Sequence, residues 1–166
     1  MDLDEVVRIL ASLEREGVDY AVFGGVALNF HGIVRATEDL DLFVRPEAEN
    51  IEGLRRALRE VYNDPLLDEI STEDLTGEYP AVRYFPPSSQ DEEGDEFYLD
   101  ILTRLGEFAH FKDLEIQEID INGVKVRLVS PRTLYWLKRG TVRDKDRVDA
   151  QYLKEKFDLK DEDKGG

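Results

Sequence analysis

The stretch "FGGVALNFHGIVRATEDLDLFV", residues 23–44, places two adjacent glycines before a helix-sized run and two aspartates two residues apart in a strand-like segment. Alternation along a strand would put Asp39 and Asp41 on one face and the leucines beside them on the other. Two carboxylates in one small site repel each other and lose hydration, which raises the pKa of at least one unless a cation neutralises them. The pattern therefore predicts a site for a hard divalent ion, with Mg²⁺ as the natural candidate.

A third carboxylate occurs in "FYLDILT", residues 97–103, where Asp100 would lie on the polar face of another strand. A neighbouring strand would bring it to the same ions, and three carboxylates can hold two metal ions that clamp the oxygens of a phosphoryl transfer. Gly24 and Gly25 lie between a strand and a helix, where the absence of Cβ atoms lets a triphosphate approach backbone N–H groups. The set therefore predicts a site for metal and nucleoside triphosphate.

The rest of the chain shows the periodicities of both helices and strands. Helical spacing is present at 3–13, after Pro46 and in two segments beyond Pro131, and strands are expected in "VDYAVF", "DLDLFV", "YPAVRYF" and "FYLDILTRL". Asn122-Gly123 between two alternating runs predicts a β-hairpin. Weaker segments are 63–76 and 86–96, the second read as an exposed loop. The prediction is an α+β fold (an α/β mixture) with a mixed β-sheet flanked by helices.

Length and charge limit the possible classes of protein. The chain has 166 residues, of which 41% are hydrophobic and 36% charged, with a net charge of -16. This predicts a single domain over residues 1–158 and a flexible acidic tail over 159–166. The acidic surplus argues against a broad surface that coats nucleic acid. The absence of cysteine excludes disulfides and thiolate chemistry. The acidic start and the lack of an apolar run near ~20 residues predict a cytoplasmic protein.

Together, "GGVALNFHG", "RATEDLDLFV" and the later "YLDILT" resemble the nucleotidyltransferase superfamily of polymerase-β-like fold, whose pattern is a glycine turn, then D-x-D, then a third carboxylate. The similarity is greatest to small prokaryotic nucleotidyltransferase-like proteins, including toxins of type IV toxin–antitoxin systems. Their C-terminal segment is similar to residues 130–153. The resemblance implies a magnesium-dependent enzyme that moves an NMP from an NTP, ATP included, to an acceptor hydroxyl. Asp39 and Asp41 would be ligands of two Mg²⁺ ions, and Asp100 the third ligand and base.

The partners implied are an NTP and an unidentified acceptor, which is a small molecule, a protein or an RNA end. We expect neither a membrane nor an extended nucleic-acid duplex as partner; a homodimer or an antitoxin-type protein partner stays open. The alternative function is a non-catalytic regulatory or toxin–antitoxin component that keeps the fold, and a phosphohydrolase is a third reading. The presence of all three aspartates favours the enzyme, because a degenerate site would be free to lose them.

Nucleotide contacts are expected of a wider set: Gly24, Gly25, His31, Arg35, Thr37, Lys138, Arg143 and Lys145. Several members also have a purely structural reading. Thr37 either bonds a phosphate or caps the entry to the strand. His31 either contacts phosphate or acceptor, or ends the short helix before Gly32. Arg35 is either a phosphate clamp or a surface residue.

The C-terminal cations have the same two readings. Between residues 138 and 147 they either contact nucleotide or RNA, or form a solvated helix face with neighbouring aspartates as partners. Tyr135 and Trp136 either join the core or stack on a nucleobase. Pattern alone does not separate these readings.

Overall fold

The computed structural model describes residues 2–90, 96–139, 141 and 143–162. Within these ranges the helices are α1 (Leu3–Arg15), α2 (Gly24–Phe30), α3 (Ala48–Tyr62), α4 (Thr72–Thr76), α5 (Pro131–Arg139) and α6 (Asp144–Phe157). The strands are β1 (Tyr20–Phe23), β2 (Asp39–Val44), β3 (Ala81–Tyr84), β4 (Tyr98–Leu102), β5 (Arg104–Leu105), β6 (Ala109–His110), β7 (Ile116–Ile121) and β8 (Val124–Val129). The helix and strand types agree with the sequence pattern.

Six strands form one mixed sheet in the order β3-β4-β2-β1-β8-β7, and β5 and β6 form a separate small hairpin. Strand β2 is antiparallel to β1 and parallel to β4, whereas β3 is antiparallel to β4. The predicted hairpin is β7–β8, whose turn places Asn122 at φ 51 and Gly123 at φ 81, as a two-residue hairpin turn requires. The prediction of an α+β fold with a mixed sheet flanked by helices is confirmed.

Helix α1 illustrates how the core forms. The side chain of Asp2 accepts a hydrogen bond from the Asp4 N–H at 2.9 Å and so caps the helix, and the chain leaves it through Gly17 at φ 63. Its apolar face, which includes Ile9 and Leu10, is fully buried. The helix packs against α3 and β8, and it encloses the main core on one side of the sheet.

The two faces of β2 belong to different clusters. Leu40, Leu42 and Val44 are fully buried in the main core, as the alternation predicts. On the opposite face, beyond the two aspartates, Phe43 packs with Leu102 in a smaller apolar cluster. The two aspartates therefore lie at the start of one face of β2, and the next residue on that face is apolar.

The segments with weak patterns have short structures of their own. Residues 63–76 form a 3₁₀ turn, Pro65–Glu69, and the helix α4, and Pro87–Gln90 forms another 3₁₀ turn. Residues 91–95 of the predicted loop and 163–166 of the predicted tail lie outside the described residues. Leu159 packs against the core and Asp161 accepts a hydrogen bond from the Tyr135 hydroxyl at 2.7 Å. In the part of the chain that the structure describes, no helix is both long and apolar enough to cross a membrane.

Candidate active site

The three aspartates come together through the pairing of two neighbouring strands. In the parallel register of β2 and β4, Asp41 lies opposite Asp100 and Asp39 opposite Tyr98. One carboxylate oxygen of each aspartate lies within 4.8 Å of the others. The expectation that a neighbouring strand supplies the third carboxylate therefore agrees with the geometry.

Asp41 is the most perturbed group of this triad. Burial raises the pKa of its carboxyl well above the usual value, and the charges of Asp39 and Asp100 raise it further, while nearby Lys138 acts in the opposite direction. Three partly buried oxygen donors with this repulsion fit a hard divalent cation such as Mg²⁺, because the ion would replace unfavourable contacts with favourable ones.

The two glycines leave room for other side chains of the site. Gly24 has φ +69, and a Cβ atom there would lie 2.0 Å from Asp41 Oδ2. A Cβ atom on Gly25 would lie 2.9 Å from Thr37 Oγ1. The sequence does not reveal this structural reason for the two glycines. Because they lack Cβ atoms, the side chains of Asp41 and Thr37 can lie beside the β1–α2 turn.

A cleft of about 860 Å³ opens over the carboxylates. With one exception it is lined by all the residues expected at the site: Gly24, Gly25, Arg35, Thr37, Asp39, Asp41, Asp100, Lys138, Arg143 and Lys145. The Thr37 hydroxyl donates to the backbone oxygen and to Oδ1 of Asp39, both at 3.1 Å, so it holds the first carboxylate in place.

His31 is the exception, because it is not part of the cleft lining. It lies at the C-terminal end of α2, where its Nε2 donates to the carbonyl oxygen of Val129 at 2.8 Å and its ring meets Phe157 edge-on. Burial lowers the pKa of His31, and the bond to Val129 only partly opposes this. The structure therefore gives His31 the helix-ending role and does not bring it to the carboxylates.

Three cations of the cleft are held by two carboxylates of α6. Lys138 Nζ lies 3.1 Å from Asp146 Oδ1 and 3.0 Å from Asp149 Oδ2. Arg35 also pairs with Asp149, and Arg143 Nε lies 2.7 Å from Asp146 Oδ2. Burial acts to raise the pKa of Asp146, but hydrogen bonds from these cations outweigh it, so the pKa lies below its usual value. The network ties α5, α6 and the loop before β2 together.

One of the two readings of the sequence made the aspartates of α6 partners along a solvated helix face. Arg147 and Asp144 fit that description, since they are an exposed pair 3.8 Å apart. Asp146 and Asp149 do not, because they are buried and face α5. Their position could not be read from α6, whose charged residues recur on every side of the helix.

Arg83 is a further site residue that the sequence analysis missed. Its Nε and Nη2 atoms lie 2.8 and 3.0 Å from the two oxygens of Asp100, and its guanidinium lies 4.3 Å from the centre of the Tyr98 ring. The antiparallel register of β3 and β4 places Arg83 directly opposite Asp100. Its signal in the sequence is its position in the strand-like "YPAVRYF", but the partner follows only from the register.

Apolar side chains complete the cleft, among them Leu105, Phe108, Leu134 and Leu137. Of the two aromatic residues considered for base stacking, Tyr135 is buried, in agreement with the core reading. Trp136 is partly buried and packs edge-on against Phe108, with ring centres 5.5 Å apart. Phe108, which sequence reasoning did not single out, is the ring of this pair that lines the cleft.

Comparisons with solved structures agree with the fold. An antigenic nucleotidyltransferase-like protein from Paracoccidioides brasiliensis matches with a TM-score of 0.52 and 19% identity over 92% of this chain and 77% of its own. A protein from Thermotoga maritima described as a candidate nucleotidyltransferase matches with a TM-score of 0.51 and 19% identity, over 93% of this chain and 96% of its own. ANT(2")-Ia, in complex with adenylyl-2"-tobramycin, matches with a TM-score of 0.51 and 14% identity, over 92% of this chain and 87% of its own.

Comparison with sequence families is more specific, although no curated protein matches the chain. The model of the AbiEii family, described as nucleotidyl transferase toxins of type IV toxin–antitoxin systems, matches residues 8–160 and so includes the carboxylates, the glycines and the α5–α6 network. This agrees with the resemblance stated from the sequence motifs. The chain belongs to the AbiEii family of nucleotidyl transferases.

Proposed function

We propose that the protein is a magnesium-dependent nucleotidyltransferase that moves an NMP from an NTP to an acceptor hydroxyl. The observation that supports it most is the triad of Asp39, Asp41 and Asp100 in a cleft that also presents cationic side chains. A triphosphate needs both, because its charge must be neutralised by metal and by protein cations. The family and the fold agree with this general activity.

The three carboxylates would hold the metal, and two Mg²⁺ ions there would stabilise the charge on the attacking and leaving oxygens. The protein contributes the orientation of the ligands. Thr37 fixes Asp39, the missing Cβ of Gly24 leaves room for Asp41, and Arg83 holds both oxygens of Asp100. The triad is thus positioned before a substrate binds.

In the reaction the acceptor oxygen attacks the α-phosphorus, the bond to the bridging oxygen breaks, and pyrophosphate leaves. Asp100 accepts the proton of the acceptor hydroxyl, as general-base catalysis requires. Because Arg83 bonds both carboxylate oxygens, the proton is accepted at a lone pair that the guanidinium leaves free. Lys138, Arg143 and Lys145 bind the triphosphate and the departing pyrophosphate.

ATP is the first nucleotide to test, since ANT(2")-Ia shares this fold and was solved with an adenylyl group on tobramycin. The acceptor of this protein is a small molecule, a protein or an RNA end. The family also supports a role as the toxin of a toxin–antitoxin pair, with an antitoxin as partner.

The proposal is tested by incubating the protein with α-labelled NTPs, Mg²⁺ and a cell extract, and then identifying the molecule that gains the label. We expect transfer by the wild-type protein and none after chelation of the metal. Asp100→Asn should still bind Mg²⁺–NTP, but with transfer reduced by about 10²-fold or more, because the hydroxyl loses its base. Transfer within a few-fold of wild type would remove Asp100 from the mechanism.

A further inference from the structure

Phe108 is an exposed aromatic residue in the cleft for which the proposed chemistry has no use. Its side chain is 54% exposed, although it lines the same cleft as the carboxylates. It lies in the turn between β5 and β6, where Leu105 pairs with the fully buried Ala109. Single exposed apolar residues are common on protein surfaces, but this ring lies in the cleft of the three carboxylates, where its face is available to a ligand.

Two interactions limit the position of Phe108, one at the backbone of its turn and one at its ring. Arg104 fastens the turn, since its guanidinium donates to the side chain of Glu107 at 2.7 Å and to the backbone oxygen of Gly77 at 3.0 Å. Trp136 of α5 meets the ring edge-on at 5.5 Å, with 71° between the ring planes. Phe108 is therefore an oriented ring, and a ligand that stacks on it would lose little entropy to its ordering.

Apolar side chains of the cleft continue the strand face that carries the triad. Leu102 follows Asp100 by two residues on the same face of β4, so the apolar wall begins about 7 Å along the strand from the third carboxylate. Leu105 and Leu137 extend this wall, and all of them line the cleft. The cleft thus combines a charged region with an apolar region that contains one oriented ring.

Tyr98 also lines the cleft, but its ring already has neighbours. The guanidinium of Arg83 lies 4.3 Å from its centre, and Phe85 packs against it at 5.5 Å. Phe23, another lining residue, packs against Phe43 in the smaller apolar cluster. Among the aromatic residues of the cleft lining that the structure describes, Phe108 is the exposed one.

We propose that Phe108 is the residue on which the nucleobase of the NTP stacks. The inference rests on the proposed function, because it takes the charged region as the triphosphate site. A nucleoside triphosphate matches this cleft, since its polyanionic end needs the metal and cations and its planar base needs an apolar ring. The volume of about 860 Å³ suits a ligand of this size.

The test compares ATP with inorganic tripolyphosphate, which has the same charged end and no base. Affinities are measured by calorimetry in Mg²⁺ for wild type, Phe108→Ala, Phe108→Leu and Phe108→Tyr. We expect the Ala and Leu variants to bind ATP about 5- to 150-fold more weakly, and the Tyr variant to bind it as wild type does. Binding of tripolyphosphate should be unchanged in all three. Tyr152→Ala is the matched control, because Tyr152 is 56% exposed on α6 and does not line the cleft.

The outcomes separate this inference from the function on which it rests. If wild type transfers NMP and the Phe108 variants bind ATP normally, base stacking on Phe108 is wrong and the enzyme proposal stands. An equal loss of ATP and tripolyphosphate affinity would also overturn it, since that loss would reflect disturbed folding. If ATP binding depends on Phe108 but no acceptor is labelled, the stacking site stands and the transferase proposal fails. Failure of wild type to bind any of the four common NTPs in Mg²⁺ would overturn both.

Discussion

Asp41 is a residue whose charged form the fold disfavours. Burial and two neighbouring carboxylates raise the pKa of its carboxyl, and Lys138 acts against them. When the folded state binds a proton more tightly than the unfolded state, stability falls as the pH rises. For Asp41 this fall begins near the ordinary carboxyl pKa and is complete above its raised value.

We therefore predict that Asp41→Asn increases the stability of the protein at neutral pH in the presence of EDTA, because the variant has no charge to bury. The gain should disappear as the pH approaches 4, where Asp41 of the wild-type protein is protonated as well. Urea unfolding at both pH values measures it. Asp144→Asn serves as control, since this change removes a charge whose side chain is 98% exposed. A loss of stability at neutral pH would mean that the Asp41 charge is already compensated.

At the scale of elements, α2 is fixed at both ends. At its start the backbone of Gly24 passes so close to Asp41 that no Cβ atom fits, and at its end His31 bonds to Val129 of β8. The short helix therefore depends on its contacts with β2 at one end and β8 at the other.

Gly24→Ala should lower the free energy of unfolding by about 1–3 kcal/mol, because the residue has positive φ. The variant should also bind a divalent ion more weakly, with Mn²⁺ as the probe of the Mg²⁺ site, since the new methyl group would displace the Asp41 carboxylate. Gly25→Ala should have a smaller effect on both, because its Cβ atom meets the side chain of Thr37, which can shift. Urea unfolding and Mn²⁺ titration compare the two variants. Equal Mn²⁺ affinities for Gly24→Ala and wild type would show that the turn tolerates the methyl group.

The helices and strands were easier to predict from the sequence than the pairing and contacts between them. Alternation in β2 and β4 was sufficient to place Asp39, Asp41 and Asp100 on polar strand faces, and Asn122-Gly123 was sufficient for the hairpin. The pairing of β3 with β4 depends on packing across the sheet. Arg83 was missed for this reason, although it lies opposite Asp100. The role of His31 depends on Val129, which is 98 residues away.

At the scale of the whole molecule, a net charge of -16 surrounds a cleft whose cations are mostly paired. Lys138, Arg143 and Arg35 each have a carboxylate partner in α6. Lys145 is exposed and lines the cleft, and no ion pair of Lys145 is found within the described ranges. Long-range repulsion of an anionic ligand, which salt screens, is thus opposed mainly by local contacts.

We therefore expect substitutions of the two cleft lysines to have different effects, one mainly on NTP binding and the other on stability. Lys145→Gln should weaken NTP binding about 2- to 5-fold and leave stability unchanged, because an exposed charge is lost. Lys138→Gln should lower the free energy of unfolding by about 3 kcal/mol, because it leaves the buried Asp146 and Asp149 short of a cation. Calorimetry with Mg²⁺–ATP and urea unfolding separate the two effects. Loss of stability in the Lys145 variant would indicate that this lysine belongs to the network.

The parallel pairing of β2 and β4 has a consequence for how this protein can change. The chain leaves β2 after Val44, forms α3 and α4, adds β3 beside the position of β4, and enters β4 at Tyr98, next to the strand it left. The ladder between β2 and β4 sets the backbone spacing of the three aspartates, whatever the length of chain between the two strands. Changes of length in the α3–α4 part of this segment can therefore be accommodated without moving the acids. Tolerance to mutation and a fixed spacing of three acids thus coexist in one polypeptide.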